Sequence, residues 1–150
     1  MPFENPDRET IQSILQHAEN IAVVGLSADP EKTSHQVAAA MQAKGYRIIP
    51  VNPTAAGQTI LGEKVYASLK DIPEPVDIVN VFRRPEHTPP IAEEAAAIGA
   101  KTLWLQLGIA NEEAAEIAAR AGMRVIMDRC IKVEDSILLP HGRNQGGSPS

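Results

Sequence analysis

A run of apolar residues that ends at a glycine, just before a helical pattern, constrains this chain more than any other feature. The run is Ile21–Val24, the glycine is Gly25, and the helical pattern opens at Ser34. In doubly wound α/β proteins this strand–turn–helix unit presents backbone N–H groups to a phosphate at the carboxyl edge of the sheet. The segment therefore predicts a parallel α/β fold with a nucleotide site.

The glycines that define a dinucleotide site are absent from this turn. In the pattern G-x-G-x-x-G, Ser27 takes the place of the second glycine and Pro30 takes the place of the third. The next strand ends in Asn52 and Pro53 instead of the acidic residue that binds the ribose of NAD. These departures argue against an NAD(P)-binding redox protein, which stays the less favoured alternative.

The rest of the chain alternates apolar runs with helical patterns. Gly45, Gly99 and Gly122 each end a helical pattern just before the next apolar run, as a glycine past a helix C-terminus does. A chain of 150 residues is long enough for one domain with a sizeable core. We therefore predict one Rossmann-like, doubly wound α/β domain over residues 1–140, with a mainly parallel five-stranded sheet and helices on both faces.

The predicted elements begin with a helix over about residues 6–19, with Asn5 as its N-cap and Pro6 in its first turn. Residues 54–58 are predicted to form a loop and residues 68–73 a short helical turn. The further predicted strands are Ile21–Val24, Arg47–Val51, Ile78–Phe82, Thr102–Leu105 and Arg124–Met127, and the further predicted helices are Ser34–Lys44, Pro89–Ile98 and Glu112–Ala121.

Composition limits the partners and the location of the protein. The net charge of −5 argues against a nucleic-acid partner, and no apolar run approaches the roughly 18 residues that span a membrane. The first 20 residues hold four acidic side chains, so we expect no signal peptide. A single cysteine, Cys130, fits a reducing compartment, so the expected location is cytoplasmic. The tail over residues 141–150 is rich in Gly, Ser and Asn and is predicted to be disordered.

The turn after Gly25 carries side chains that suit an anion. Ser27 and Ser34 offer hydroxyl donors, and Gly25 lets the backbone approach a ligand closely. Lys32 adds a positive charge at the helix entrance, where the helix macrodipole already favours an anion. The alternative is that Ser34 only caps the helix and that Lys32 is a solvated surface lysine.

The ends of other strands supply further candidates. Asn52 and Pro53 form either a surface for an adenine or a ribose, or a simple turn that ends the strand. Phe82 and Arg83 follow the strand expected beside the first one, and they offer a flat ring and a cation for a base or a phosphate. Arginines after a strand are common surface residues, so Arg84 carries little weight.

Catalytic and metal-binding patterns find little support. The histidines lack metal-ligand spacing, and the chain has no P-loop, G-x-S-x-G or H-E-x-x-H motif, so we predict no metal site. One cluster follows the last strand, and its members are Asp128, Arg129, Cys130, Glu134 and Asp135. The cluster is either the site of a small enzyme or a helix cap with surface ion pairs, and we favour the second interpretation.

Several short segments form a specific combination over about Ile11 to Leu139. They are Val24-Gly25-Leu26-Ser27, Pro30-x-Lys32-x-Ser34, Gly45-Tyr46, Pro50-Val51-Asn52-Pro53, Gly62-x-x-Val65-Tyr66-x-Ser68-Leu69-x-Asp71-Ile72-Pro73, Val76-Asp77-x-Val79, Val81-Phe82-Arg83, Gly99-Ala100-Lys101, Trp104-Leu105-Gln106-x-Gly108 and Val125-Ile126-Met127-Asp128-Arg129-Cys130. This combination resembles the stand-alone CoA-binding proteins, a family similar to the CoA-binding domain of the succinyl-CoA synthetase α subunit.

The resemblance implies a Rossmann-like fold that binds coenzyme A or an acyl-CoA. It implies ligand contacts from Gly25, Ser27, Lys32, Ser34, Val51, Asn52, Pro53, Phe82, Arg83, Gln106 and Gly108. The chain topology puts Cys130 near the expected end of the pantetheine arm, so this residue is a candidate for redox chemistry or thiol exchange. A buried structural thiol is the alternative.

The chain also departs from this resemblance. The loop Thr54-Ala55-Ala56 lacks the basic residue that the group often carries, so the resemblance supplies no partner for the ribose 3′-phosphate. The ligase domains work with a second domain that bears a phosphohistidine, and we expect none after Leu139. We therefore predict CoA binding without acyl-CoA synthetase chemistry. The alternatives are a small enzyme acting on a CoA thioester and a regulatory or interaction subunit that CoA switches.

Overall fold

The computed structural model describes residues 3–142 and shows a parallel sheet of five strands in the order β2-β1-β5-β6-β7. The strands are β1 (Asn20–Val24), β2 (Arg47–Val51), β3 (Thr59–Ile60), β4 (Glu63–Lys64), β5 (Ile78–Val81), β6 (Thr102–Leu105) and β7 (Arg124–Ile126), with β3 and β4 forming a separate hairpin. The helices are α1 (Arg8–His17), α2 (Thr33–Ala43), α3 (Thr88–Ala97), α4 (Glu112–Arg120) and α5 (Ile131–Leu138). The predicted Rossmann-like α/β fold is confirmed.

Side chains alternate along β1 between two hydrophobic cores. Ile21 and Val23 pack in a core with residues of α1, α2 and α5, whereas Ala22 and Val24 pack in a core with residues of α3 and α4. Successive side chains of a strand point to opposite faces. The sheet is therefore the middle layer of three, with helices on both faces.

The order of the strands places a topological switch point between β1 and β5. From β1 the chain moves outward to β2, and it then returns to the other side of β1 to add β5, β6 and β7 in succession. Val24 at the end of β1 is paired with Val51 on one side and with Val81 on the other. Ligands of open α/β sheets bind at the carboxyl edge beside such a switch point.

The first helix begins later than the sequence predicts. Asp7, and not Asn5, is its N-cap, and the Asp7 carboxylate accepts a hydrogen bond from the Thr10 N–H at 2.9 Å. Asn5 instead donates to the Met127 carbonyl at 2.9 Å and accepts from the Met127 N–H at 2.8 Å. Asn5 thus ties the N-terminal segment to the end of β7, a long-range pairing that competes with local capping. The helix also ends two residues before the predicted end, at His17, whereas the ends of the other predicted strands and helices agree with the structure to within one residue.

Two elements are not predicted by the sequence pattern. One is α5, which is anchored by the buried Asp135 through the Tyr46 hydroxyl at 2.6 Å and the Lys44 ammonium at 2.8 Å. The other is the β3–β4 hairpin, where Leu61 and Gly62 adopt φ values of 54° and 77°. Tight hairpin turns require such positive φ values.

Residues 143–150, which form most of the tail predicted to be disordered, lie outside the described residues. Over residues 3–142, no helix combines the length and the apolar character that crossing a membrane requires. The predicted helical turn is present as a 3-10 helix, Leu69–Asp71, and part of the predicted loop forms another, Pro53–Ala55.

Candidate functional site

The turn after β1 is built around Gly25. Its φ is 88°, and a Cβ atom at this position would lie 2.6 Å from the carbonyl oxygen of Phe82 and 3.0 Å from Cδ of Arg83. The Gly25 N–H donates to the Val51 carbonyl at 2.8 Å, and the Phe82 N–H donates to the Val24 carbonyl at 2.8 Å. Only glycine tolerates both the positive φ and this close approach of the chain that follows β5.

Ser27 and Ser34 close the loop between β1 and α2. The Ser27 N–H donates to Ser34 Oγ at 3.0 Å, and the Asp29 N–H donates to Ser27 Oγ at 3.0 Å. Lys32 occupies the N-cap position of α2, so the interpretation of Ser34 as the helix cap is wrong. The Ser27 N–H is used inside the loop, but the hydroxyl hydrogens of the two serines can be donated to a ligand.

His35 braces the same loop and is not among the residues predicted from the sequence. Its Nδ1 lies 2.9 Å from the Ser27 carbonyl oxygen. Because a carbonyl only accepts hydrogen bonds, Nδ1 is the donor in this contact. The sequence signal that could have indicated this role of His35 is its position in the first turn of α2, one residue after Ser34.

Lys32 and Arg83 bring positive charge to this turn. Lys32 is exposed at the start of α2, and the half-buried Arg83 lies with its Cδ against Gly25. Over residues 3–142, no acidic side chain forms a salt bridge with either cation. Two unpaired cations beside a helix N-terminus make this end of the sheet suitable for an anion.

Asn52 connects the end of β2 to the Gly25 turn. Its Nδ2 donates to the Leu26 carbonyl at 3.0 Å, and its Oδ1 accepts from the Thr54 N–H at 3.0 Å and from the Thr54 hydroxyl at 2.8 Å. Asn52 therefore shapes the site through its internal bonds. Pro53 starts the next 3-10 helix and is exposed, so its ring is open to a ligand at the rim.

A pocket of about 470 Å³ opens beside this turn, at the carboxyl ends of β5 and β6 and at the start of α5. It is lined by Thr33, Phe82, Arg83, Arg84, Gln106, Leu107, Ile109 and Cys130. Three of these residues, Thr33, Leu107 and Ile109, are not predicted from the sequence. Arg84 is exposed, as expected of a surface arginine, but it lies at the pocket and not away from it.

Gln106 presents an unpaired amide donor in this pocket. The residue is 4% exposed, and its Oε1 accepts from the Ile131 N–H at 3.2 Å and from Asn80 Nδ2 at 3.3 Å. Both partners are donors, so they fix the orientation of the amide, and Nε2 finds no acceptor in the described part of the chain. Burying an unpaired donor is costly, so the Gln106 amide is ready for an acceptor on a ligand. Asn80, a polar residue inside a buried strand, is the sequence signal for this arrangement.

Other predicted residues are not brought to the pocket. The Val51 side chain packs in the core, and Gly108 donates its N–H to Asp128 Oδ1 at 2.7 Å. Asp128 and Asp135 therefore have structural partners, and of their cluster only Cys130 lines the pocket. No group of three or more His, Cys, Asp or Glu side chains within residues 3–142 is placed to hold a metal ion.

The amino edge of the sheet carries another pocket, of about 410 Å³. Asp77 lies there, and its Oδ2 accepts from the N–H groups of Glu19 and Asn20, at 2.9 Å each. Its Oδ1 lies 3.4 Å from Lys101 Nζ. Burial raises the pKa of Asp77, but the hydrogen bonds from the two N–H groups and the charge of Lys101 lower it by a larger amount. The pKa of Asp77 is therefore below its ordinary value.

Comparison with known proteins identifies the family. A family model described as a CoA binding domain matches residues 19–136, which include both the Gly25 turn and the carboxyl-edge pocket. The chain belongs to this CoA-binding domain family. The predicted resemblance is thereby confirmed at the level of the family.

Curated relatives of this CoA-binding domain differ in length. The uncharacterized protein YneT of Bacillus subtilis is 51% identical over 135 residues, which are 90% of this chain and 98% of that protein. The α subunit of the ADP-forming acetate–CoA ligase II of Pyrococcus furiosus is 29% identical over 124 residues. That match covers 75% of this chain but only 27% of the ligase subunit. The chain is thus similar to a small protein in full and to a ligase subunit in part.

A solved structure gives the same result for the fold of the CoA-binding domain. The protein called cell-free ID.343 from Thermus thermophilus has a TM-score of 0.85 and 38% identity. The similarity covers 89% of this chain and 99% of that protein. Small proteins of this architecture therefore occur outside the large ligase subunits.

Proposed function

We propose that this CoA-binding domain binds coenzyme A or an acyl-CoA along the carboxyl edge of its sheet. One observation carries the proposal: an anion-suited turn and a largely apolar pocket with an unpaired amide donor lie side by side, within the segment that the family model matches. A nucleotide joined to a long amide-containing arm needs both features. Lys32 and Arg83 suit its phosphates, and Gln106 suits an acceptor on its arm.

We assign different parts of the ligand to different strand ends. The hydroxyl groups of Ser27 and Ser34 join the two cations around the diphosphate, while Asn52 and Pro53 form the surface for the adenine or the ribose. Phe82 and Gln106 line the path of the pantetheine arm. The loop over residues 54–56 holds no basic side chain, so the 3′-phosphate has no cation within that loop.

We further propose that the chain acts as a binding protein without acyl-CoA synthetase chemistry. The ligase α subunit matches it over only 27% of the subunit, so the remaining parts of such an enzyme have no counterpart in this match. The hydrogen bonds of Asp128 and Asp135 support structural roles for the acids that a small thioester-cleaving enzyme would use. The cytoplasmic location stays a prediction from the sequence.

Thermal unfolding with competing nucleotides tests this function. CoA and acetyl-CoA should raise the melting temperature, whereas NAD and NADP at equal concentration should not. Stabilisation should reach about 2.7 kcal/mol when the ligand exceeds its dissociation constant a hundredfold. Isothermal titration then gives the affinity directly. A larger shift with NAD than with CoA would contradict the proposal.

A further inference from the structure

We propose that Cys130 undergoes thiol–disulfide exchange with a CoA disulfide, so that the protein carries CoA as a mixed disulfide. This proposal rests on the proposed CoA binding and adds a reaction to the same site. It makes the pocket a place where the CoA thiol group is stored in a reversible covalent form.

The position of Cys130 is the first reason. Its side chain lines the carboxyl-edge pocket, and the residue is partly buried at the N-cap of α5. A residue at this position usually caps the helix with its side chain, but the Cys130 thiol makes no cap hydrogen bond. The thiol is thus held at the pocket wall without a capping role.

Gln106 is an independent second reason. It is 4% exposed in the same pocket, and its Nε2 has no acceptor within the described residues, because its Oε1 is held by Ile131 and Asn80. The pantetheine arm contains two amide carbonyls, which are acceptors of the kind that this donor lacks. The pocket lined by Cys130 therefore also contains a buried amide donor, Gln106 Nε2, whose missing acceptor a ligand would supply.

The dimensions of the sheet are consistent with this arrangement. Neighbouring strands lie about 4.8 Å apart, so the turn after β1 and the end of β6 are separated by roughly 10 Å. The pantetheine arm consists of three units with about four chain atoms each, against three in an amino-acid residue, so it spans roughly 15 Å when extended. A diphosphate held at Lys32 thus leaves the sulfur end of the arm within reach of the pocket that Cys130 lines.

The reaction balances without a further oxidant. The Cys130 thiol releases its proton to solvent, and its sulfur attacks one sulfur of the CoA disulfide. A bond forms between Cys130 Sγ and that sulfur while the original S–S bond breaks. The second CoA leaves as a thiolate and takes up a proton. The disulfide is reduced as Cys130 is oxidised, and a thiol such as dithiothreitol reverses the step.

Intact-mass spectrometry under denaturing conditions tests the exchange. Wild-type protein is incubated with CoA disulfide or with glutathione disulfide at equal concentration, and the rate of adduct formation is followed. We expect one CoA adduct per chain, because the chain has a single cysteine. Binding raises the local concentration of the CoA disulfide, so its adduct should form on the order of 100-fold faster than the glutathione adduct. Acetyl-CoA, which has no free thiol, should slow the reaction by occupying the site.

The outcomes separate this proposal from the proposed function. Protein whose melting temperature rises with CoA but which forms no adduct would overturn the exchange and leave CoA binding intact. Equal rates for the two disulfides would also overturn it, because the reaction would then not depend on the site. Protein that shows no melting shift with CoA would overturn the proposed function itself. The Cys130→Ser variant controls for ligand retained without a bond, and the comparison of the two disulfides needs only wild-type protein.

Discussion

Asp77 at the amino edge of the sheet has partners for its polar atoms, whereas three polar residues at the carboxyl edge keep polar atoms without partners in the part of the chain that the structure describes. At the amino edge, Asp77 accepts from two backbone N–H groups and faces Lys101. At the carboxyl edge, Lys32 and Arg83 have no acidic partner within the described residues, and Gln106 keeps an unpaired donor. The first arrangement stabilises the chain by itself, whereas the second leaves interactions to be completed by a ligand.

This contrast separates stability from function within one small domain. Internal pairing at the amino edge lowers the free energy of the folded chain at once. Unpaired groups at the carboxyl edge raise it, and such groups persist in native proteins where they serve binding or catalysis. Substitutions at the amino edge should therefore change stability, and substitutions at the carboxyl edge should change CoA binding.

The largest difference in stability is expected between alanine substitutions of two glycines at opposite edges of the sheet. Gly25→Ala adds a Cβ atom 2.6 Å from a carbonyl oxygen at a φ of 88°, so we expect a loss of about 3 kcal/mol of stability together with loss of CoA binding. Gly122, before β7, has a φ of 85° but no atom within 4 Å of such a Cβ. Gly122→Ala should cost only about 1 kcal/mol, with CoA binding retained. Urea unfolding and titration with CoA compare the two, and equal losses would remove the distinction.

Asp77→Asn should reduce stability without reducing CoA affinity. The change removes charge-assisted hydrogen bonds at the amino edge, and we expect a loss of about 2 kcal/mol at neutral pH. The native pKa of Asp77 lies below its ordinary value, so its stabilising effect is present above the unfolded pKa of about 3.9 and is lost as the pH falls through the native pKa. Unfolding curves of wild type and variant should therefore converge in acid. A constant difference down to the lowest pH would contradict this assignment.

In contrast to Asp77→Asn, the substitutions Lys32→Ala and Arg83→Ala should reduce CoA affinity without reducing stability. Each should weaken CoA binding by about 1–3 kcal/mol, the range of charge-assisted hydrogen bonds, with little change in the melting temperature. Lys70→Ala and Arg120→Ala are matched controls, because both side chains are exposed outside the carboxyl-edge pocket. Arg84 is unsuitable as a control because it lines that pocket. If the controls weaken binding equally, the effect belongs to the net charge of the chain.

Among the carboxyl-edge variants, Gln106→Met should produce the smallest loss of CoA affinity. It removes one neutral hydrogen bond to the ligand, so we expect about 1 kcal/mol of weaker CoA binding, measured by calorimetry. It also removes the acceptor of Asn80 and of the Ile131 N–H, so the free energy of unfolding should fall by about 1–3 kcal/mol. Gln58→Met, at an exposed position, is the matched control and should leave the affinity unchanged. An unchanged affinity in the Gln106 variant would show that its free amide does not face the ligand.

The amino-acid sequence by itself determines the layers of this protein and indicates where its candidate site lies. Continuous apolar runs and helical apolar patterns, with Gly45, Gly99 and Gly122 between them, specify parallel strands that alternate with helices. The Gly25 turn and the missing glycines at positions 27 and 30 are also local signals. These features depend on neighbouring residues within one or two turns of chain, so the sequence displays them directly.

Only the tertiary structure decides which polar groups at that site remain without a hydrogen-bond partner. Gln106 has a free amide because Asn80 and Ile131, each about 25 positions away in the chain, occupy its oxygen. Likewise, Asn5 binds the end of β7 across 122 positions, and α5 is anchored through Tyr46. Whether a donor is paired depends on which distant elements pack against it, and no local pattern encodes that outcome.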